Sequence, residues 1–579
     1  MSFRQLTHFG LATTASASVV YSRYNTSTAR CKPIPGDATW PDSSAWATLN
    51  DTVNGNLIAS VPIPSVCHDA PFNVYNSSAC QTVQKDYDQV NLVNLGGAPD
   101  ILSTYFKNYT CDPFTDRSEP CELGNLASYV INVTGVCDIQ AGIKFSRENN
   151  VHLVIKNTGH DYAGKSTGKG GLTIWTHYLK STEFIPSYNS SHYSGPAIKL
   201  GAGVEGFEAY MAAHDTGNRI VGGSCPTVGI SGGYSQGGGH SSISSSYGMG
   251  SDNVLEWEVV TMDGEHLVAT PEQNSDLYWA MSGGGGGTYA VAVSMTGRLH
   301  ADGVVGGGIL TFNDSSVGNE LFWDALGSFH VNLGPFVDAG NTFTYIFTPT
   351  SFQSWIITIP GAEKTGVDEA MQPFLDDLQE RGIPYEYDTT VFSNYYDHFD
   401  HYLGPFPAGI AATYAPFTGS RIMPRAVLED DQQRDVAMDA LRNASMAPGY
   451  DFIPCTALNV SHQAHPDNAV LPAWRAALGI CDFQASWNAT ATPADMQARQ
   501  DFHANELQPM IDAAFPGGGV YLNEVNYKQH DWQRELYGDN YDRLLEIKKK
   551  YDPESLLFAH TAVGSEAWVE DTDLRLCRA

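Results

Sequence analysis

No run of apolar residues in this chain approaches the roughly 20 that a membrane-spanning helix needs, and none of its 10 cysteines forms a C-x-x-C pair. Positive charge is scarce as well: 32 Lys and Arg stand against 64 Asp and Glu, a formal charge of −32. The first absence argues against a membrane span and the second against a zinc-ribbon type of site. The third argues against nucleic acid or an anionic membrane surface as a partner. Internal repeats and low-complexity tracts are also missing. What remains is a soluble globular protein, expected to be a monomer, whose partner is a neutral or cationic small molecule.

The 579 residues, 42% of them apolar, can supply more than one core. At the amino end, Arg4 is followed by "FGLATTASASVVYS", which has the order of a secretory signal with a weak apolar centre. Sequons at Asn25, Asn50, Asn76, Asn108, Asn132, Asn189, Asn313, Asn443, Asn459 and Asn488 point the same way. So do cysteines that pair by proximity, Cys67 with Cys80, Cys111 with Cys121 and Cys455 with Cys481, leaving Cys31 and Cys577 to tie the ends. A secreted protein is therefore expected. Cys137, in "VCDIQAGIKFSRENN", falls in a helical pattern with Val136, Ile139 and Ile143 and reads as a buried small hydrophobe. Cys225 is left over.

Along the chain, residues 1–110 read as a signal-like, extended, disulfide-pinned segment. An α+β pattern follows, with a strand at Val151–Lys156 and a hairpin signalled by Asp263-Gly264 inside "LEWEVVTMDGEHLVAT". The stretch 309–505 has a different texture, rich in aromatics and in mixed helices and strands. After it, "VYLNEVNY" (Val520–Tyr527) reads as a strand and "NYDRLLEIKKKYDPES" as a helix stopped before Pro553.

One motif misleads. "GHDYAGKS" (Gly159–Ser166) matches the phosphate-loop pattern, but that loop must open a helix, and "TGKGGLTIWT" after it favours a strand. The glycine clusters "GGSCPTVGISGGYSQGGGHSS" and "SGGGGGTYAVAVS" lie in no compact βαβ unit, yet offer bare backbone N–H groups that can nest a pyrophosphate. In "FSNYYDHFDHYLG", His398 and His401 have the spacing of two metal ligands without a third, so no metal site is expected, and Tyr395 and Tyr396 become candidates for a substrate cleft.

Together, "VIKNTGHDYAGKSTGKGGLTIWT", the two glycine clusters with "YGMGSDNVLEWEVV" between them, and the terminal "YLNEVNYKQHDWQRELYGDNYDRLLEIKKKYDPES" resemble the vanillyl-alcohol-oxidase superfamily of flavoproteins. The likeness is greatest to the fungal secreted berberine-bridge-enzyme-like oxidases with PCMH-type FAD-binding domains. The resemblance implies a two-domain α+β fold. A FAD-binding domain over 111–308 is completed by the segment 506–579, and a substrate domain with an antiparallel sheet spans 309–505.

It implies FAD held by two covalent bonds, through His160 and Cys225. Asn157, Thr158, Gly159, Asp161 and Gly164 surround the first anchor, and Gly222, Gly229, Gly232 and Gly233, with Gly223, give the ring its approach to the second. Alternatives for the anchors are a Cys225–Cys137 disulfide and a noncovalent phosphate contact from His160. Val228 would face the ring where dioxygen reacts. Tyr521 would line the substrate side as a base, provided its pKa is lowered, with Asn523 beside the ring. His240 stands where relatives often carry a tyrosine, and competes with Tyr521 for the role of base. The expected activity is a secreted oxidase that takes hydride from an alcohol-type carbon of a small organic substrate and passes electrons to dioxygen, giving hydrogen peroxide. An oligosaccharide oxidase, a secondary-metabolite oxidase or cyclase, and a non-catalytic flavin- or sugar-binding protein are the other readings.

Overall fold

Short β-branched runs in the first part of the chain build a small mixed sheet. In it β1 (Leu57–Ala59) pairs antiparallel with β2 (Tyr129–Asn132), while β2 and β3 (Leu153–Lys156) run parallel to β4 (Leu172–Trp175) between them. A computed structural model describes residues 31–87, 97–108, 110–409, 417–485 and 491–579. The signal-like stretch and the sequons at Asn25 and Asn488 lie outside them. The helix Val136–Glu148 covers the sheet with Ile139 and Ile143, which recur at the helical period and are buried. Cys137 precedes Ile139 by two residues, about 200° round the helix. It is therefore exposed rather than the buried hydrophobe expected, and neither it nor Cys225 is in a disulfide.

The second sheet is antiparallel, with five strands: β5 (Thr182–Asn189), β6 (Ser194–Gly201), β8 (Val254–Thr261), β9 (His266–Ala269) and β10 (Ala290–Arg298). Their order is β5-β6-β10-β8-β9. Asp263-Gly264 turns β8 into β9 as expected, with Gly264 at φ 90°. A short ladder joins β7 (Asn218–Arg219) to β11 (His300–Ala301).

The third sheet is antiparallel and has seven strands: β12 (Val305–Asn313), β13 (Thr342–Phe347), β14 (Ser351–Pro360), β15 (Tyr385–Phe392), β16 (Phe417–Pro424), β17 (Ile453–Ala457) and β18 (Ala477–Ala485). Their order is β15-β12-β14-β13-β17-β18-β16. Strand alternation gives it two different faces. Phe343, Tyr345 and Phe347 of β13, and Cys481, Phe483 and Ala485 of β18, enter an aromatic core with the helices Asn319–Asp338, Lys364–Glu380 and Asp431–Ser445. The intervening residues, Thr344, Ile346, Ile480, Asp482 and Gln484, look the other way, across the glycine-rich loops. The expected borders at 309 and 505 fall inside this unit. Its sheet begins at Val305, and the helix Gln508–Ala514 adds Ile511 and Ala514 to the same core.

Disulfides join Cys31 to Cys577, Cys67 to Cys80, Cys111 to Cys121 and Cys455 to Cys481. The lead-in is not merely extended: helices form at Ser43–Thr52 and Ser77–Lys85, each capped by the side chain before it, Asp42 and Asn76. At the other end the helix Tyr541–Tyr551 carries Lys548, Lys549 and Lys550 in its last turn, and β19 (Trp568–Glu570) pairs with β20 (Leu576–Arg578).

Three further expectations are corrected. Val520–Tyr527 is not a strand: the nearest bridge, between Gly519 and Ile422, ends just before it, and a turn closes where Glu524 N donates to the Tyr521 carbonyl at 2.9 Å. Asn459, in one of the sequons, is 5% exposed and donates to Asp338 at 2.7 Å, so its amide is unavailable to a glycan. Tyr395 is buried with its hydroxyl 2.7 Å from Ser242 Oγ, Tyr396 stacks on His214, and neither borders the cavity. The neighbouring His398 is a core residue 3.1 Å from Thr358 Oγ1, and no metal-holding group of three occurs among the described residues.

Candidate active site

A cavity of about 500 Å³ lies between the glycine-rich loops, the cavity-facing residues of the seven-stranded sheet and the turn Tyr521–Glu524. The loop 157–166 leaves the end of β3 and returns as β4, with no helix after it, so "GHDYAGKS" cannot cradle phosphate as a phosphate loop does. Asp161 instead ties the loop to itself, accepting from Ala163 N at 2.9 Å and Ser166 N at 2.7 Å. Lys165, which sequence reasoning passed over, donates to Leu522 O at 3.0 Å, and burial, opposed by the charge of Asp161, lowers its pKa to about 8.

His160 and Cys225 reach the same wall. Cys225 opens a turn closed by Val228 N donating to Cys225 O at 3.1 Å, with Pro226 in the second position, where its fixed φ is favourable. Thr227 stands between the two anchors. Its Oγ1 is 2.7 Å from His160 Nε2 and 3.6 Å from Cys225 Sγ. Burial holds the His160 pKa down to about 3, so the imidazole is neutral. Val228 borders the cavity beside them.

The glycines divide by what they face. Gly223, Gly229, Gly232 and Gly233 border the cavity, as do Asn157, Thr158 and Gly159. Gly222 and Gly164 do not, because protein side chains fill the space a Cβ would take: Tyr210 Oη at 2.4 Å for Gly222 and the Phe106 ring at 2.5 Å for Gly164. Asn157 presses so closely on Gly229 that a Cβ there would lie 1.9 Å from its Oδ1. Its Nδ2 donates to Ala202 O at 2.5 Å and Thr176 Oγ1 at 3.1 Å. The Asn157 Oδ1 and Ser231 Oγ atoms are buried on this wall with no protein partner. Such orphans beside bare glycine backbone suit a large ligand rich in hydrogen-bonding groups, which fits FAD.

The opposite end carries the titratable groups. Tyr521 Oη accepts from Asn523 Nδ2 at 2.7 Å and from Gly239 N at 3.1 Å. Asn523 also donates to Gly233 O at 2.9 Å, which stations it beside the glycine turn. Despite the two donors, burial and the charge of Glu524 push the Tyr521 phenol well above its ordinary value. The expected lowering is absent, and Tyr521 remains protonated at neutral pH.

His240 packs on Trp474 and edge-on to Tyr521, with Nε2 3.4 Å from Glu524 Oε1. Glu524 in turn hydrogen-bonds Asp482. Burial and then the Glu524 charge push the Asp482 carboxyl well above the carboxylate range. Burial also pushes Glu524 upward, but the charge and hydrogen bond of His240 and the hydrogen bond of Asp482 outweigh it and hold Glu524 below the usual range. One proton therefore serves two carboxyls and resides on Asp482. Neither acid had been singled out from sequence, although a lone aspartate alternating with Ile480 and Gln484 in an apolar strand was a legible signal.

Beyond these groups the wall is mostly apolar, with Ile346, Trp355, Phe452, Pro454 and Ile480, interrupted by Thr344, Thr456 and Gln484.

Comparison with known proteins agrees with this geometry. Residues 127–270 match the family profile described as FAD binding domain, and 520–564 match that described as berberine and berberine like. The VAO-type flavoprotein oxidase VAO615 of Thermothelomyces thermophilus is 56% identical over 549 residues, 95% of each chain. The bifunctional decalin synthase calF of Penicillium decumbens is 49% identical over 554 residues, 95% of this chain and 96% of that one. The crystal structure of the VAO-type flavoprotein MtVAO615 from Myceliophthora thermophila C1 superposes with a TM-score of 0.93 at 56% identity, over 95% of this chain and all of its own.

Proposed function

Since this chain belongs to the VAO-type, berberine-bridge-like family of FAD-linked oxidoreductases, we propose that it is a secreted oxidase of apolar alcohols, with FAD attached covalently through His160 and Cys225. The observation that carries this reading is one cavity with two chemically different ends. One holds the anchors and bare glycines, the other a buried His240–Glu524–Asp482 array against an apolar wall. FAD, when bound, supplies the two-electron acceptor that takes hydride from the alcohol carbon and hands the electrons to dioxygen, giving hydrogen peroxide.

The chain's own residues do the rest. Asn157, Thr158, Gly159, Ser231 and Gly233 would hold the cofactor, with Asn523 at its edge. The ionised Glu524 steadies positive charge as His240 accepts the hydroxyl proton of the substrate. Asp482, kept protonated, donates its one hydrogen to Glu524 and so keeps that carboxylate ionised against His240. Tyr521, a phenol rather than a phenolate, positions the substrate oxygen. Ile346, Trp355 and Phe452 exclude water and take up the apolar body of the substrate. The apolar wall favours a secondary metabolite or fatty alcohol over an oligosaccharide, which needs polar partners for each sugar hydroxyl. Secretion is proposed with it, supported by four disulfides and by exposed sequons at Asn76, Asn189, Asn313 and Asn443, and a monomeric state is proposed alongside.

The test begins with acid precipitation. Yellow colour is expected to stay with the protein, and loss of all colour to the supernatant overturns the attachment. A panel of aliphatic, terpenoid and aromatic alcohols beside oligosaccharides is then read by peroxide release in air and by bleaching of the chromophore without it. Turnover confined to the oligosaccharides overturns the substrate class. A flavin that no compound reduces favours a binding protein over an oxidase.

A further inference from the structure

Thr227 is fully buried, and its hydroxyl lies between the two side chains proposed to carry the flavin, 2.7 Å from His160 Nε2 and 3.6 Å from Cys225 Sγ. It occupies the third position of the turn closed by Val228 N on Cys225 O, so the backbone fixes it relative to the sulfur, while His160 arrives from the separate loop after β3. We propose that Thr227 is the positioning residue for flavin attachment, holding the ring proton on His160 Nε2 and donating its own hydrogen to the Cys225 sulfur. The inference rests on the covalent attachment proposed above.

The argument is one of lone pairs. A histidine nitrogen that bonds carbon must offer an electron pair, so the ring proton must sit on the other nitrogen. Contact with Thr227 takes up Nε2. With Nε2–H donating to Oγ1, the pair stands on Nδ1. The threonine hydrogen is then directed elsewhere, and Cys225 Sγ is within sulfur hydrogen-bonding range. A hydroxyl donating to sulfur favours the thiolate, which is the nucleophilic form.

Each bond formed replaces one hydrogen of the flavin and the N–H or S–H hydrogen of the side chain. The two protons and two electrons lost reduce one dioxygen to hydrogen peroxide. Thr227 is the first acceptor on the way out for the Nε2 proton. A single hydroxyl thus serves two bond-forming steps that the sequence separates by 65 residues, His160 to Cys225.

The experiment follows attachment, not turnover. Wild type, Thr227→Val and Thr227→Ser are produced with limiting flavin, then incubated with FAD in air. Covalent flavin is measured by fluorescence of acid-denatured protein on a gel and by the masses of the peptides containing residues 160 and 225. Removing one hydrogen bond to a charged or reacting group costs about a factor of ten or more. Thr227→Val is therefore expected to attach flavin at least about tenfold more slowly, and Thr227→Ser to recover most of the rate.

The same loss is expected for the histidyl bond alone in a Cys225→Ala background and for the cysteinyl bond alone in a His160→Ala background. Slowing of only one bond, or Thr227→Ser behaving like Thr227→Val, overturns the bridging role. Wild-type rates in Thr227→Val overturn it outright. A wild-type protein with no covalent flavin defeats the attachment itself, a result distinct from these. Circular dichroism and noncovalent FAD content separate misfolding from slow chemistry: should Thr227→Val not fold, Thr227→Ser and the two single-anchor proteins still decide, because serine must retain both bonds.

Discussion

Gly229→Ala isolates the steric logic of the cofactor wall. Gly229 has φ −71° and ψ 119°, a conformation open to any residue, so alanine incurs no backbone penalty there. Its methyl, however, would lie 1.9 Å from Asn157 Oδ1. Asn157 is held by hydrogen bonds of 2.5 Å to Ala202 O and 3.1 Å to Thr176 Oγ1. Retreat the other way is closed by Gly232, whose own Cβ position is 2.9 Å from Asn157 Cγ. The protein must break two hydrogen bonds, at about 1 kcal/mol each, or shift backbone, at about 1–3 kcal/mol.

By either route a cost of roughly 1–3 kcal/mol falls on the wall that the cofactor needs. Gly229→Ala should therefore lower Tm by several degrees and reduce flavin content about tenfold or more, read from thermal unfolding and from the ratio of absorbance at the flavin and protein bands. Gly135→Ala, where a Cβ meets nothing within 4 Å, is the control. If the clash with Asn157 is the cause, adding Asn157→Ala should cost less than the sum of the two single changes. Strict additivity, or a Gly229→Ala protein with full flavin and an unchanged Tm, refutes the reasoning.

Two further outcomes are expected. Glu524→Gln should slow anaerobic flavin reduction by about a hundredfold or more, whereas Asp482→Asn, which keeps a donor where a protonated acid stands, should slow it less than about tenfold. Stopped-flow bleaching with any alcohol that the panel yields decides between them. Glycopeptide mass spectrometry should find Asn459 bare, because its amide is buried on Asp338, while Asn189 and Asn443 are exposed and open to modification.

Much of this molecule was legible before its structure. The glycine clusters announce bare backbone by their composition, whereas His160 and Cys225 stood out as anchors only through the resemblance of the motifs that carry them. Three of the disulfides follow from spacing within short segments, and Cys31 with Cys577 were the pair left to tie the ends. His240 was a candidate base from the start, but the two acids beside it were not legible, because Asp482 and Glu524 come from β18 and from a distant turn, and their shared proton exists only once both are buried together. Tyr521–Glu524 misled for a related reason. Read as a strand, the segment sends 521 and 523 to one side and 522 and 524 to the other. As a turn it brings all four to the cavity. Cys137 shows the opposite error, an apolar pattern read correctly for its helix but extended to a residue on the outer face.

Charge is the reason to propose His240 rather than Tyr521 as the proton acceptor, and this gives the last expectation. Burial disfavours ionising Tyr521 and the Glu524 carboxylate adds to that cost, so its phenol is pushed well above the ordinary value although Gly239 N and Asn523 Nδ2 both favour the phenolate. A proton on His240 instead creates a cation 3.4 Å from the Glu524 carboxylate. At an effective dielectric near 20 such a pair gains about 5 kcal/mol, less here because both side chains keep some contact with solvent.

Glu524→Gln removes both effects at once: His240 loses its counter-ion and Tyr521 loses its anionic neighbour. The variant should therefore be slow at neutral pH and recover part of its rate as pH rises, the phenol now ionising more readily. Tyr521→Phe in that background should abolish the recovery, while Tyr521→Phe alone should leave the neutral rate within about tenfold of wild type, since one hydroxyl contact is lost. A Glu524→Gln variant no slower than wild type at neutral pH, or a Tyr521→Phe single variant as slow as Glu524→Gln, would mean that the tyrosine, not the histidine, receives the proton.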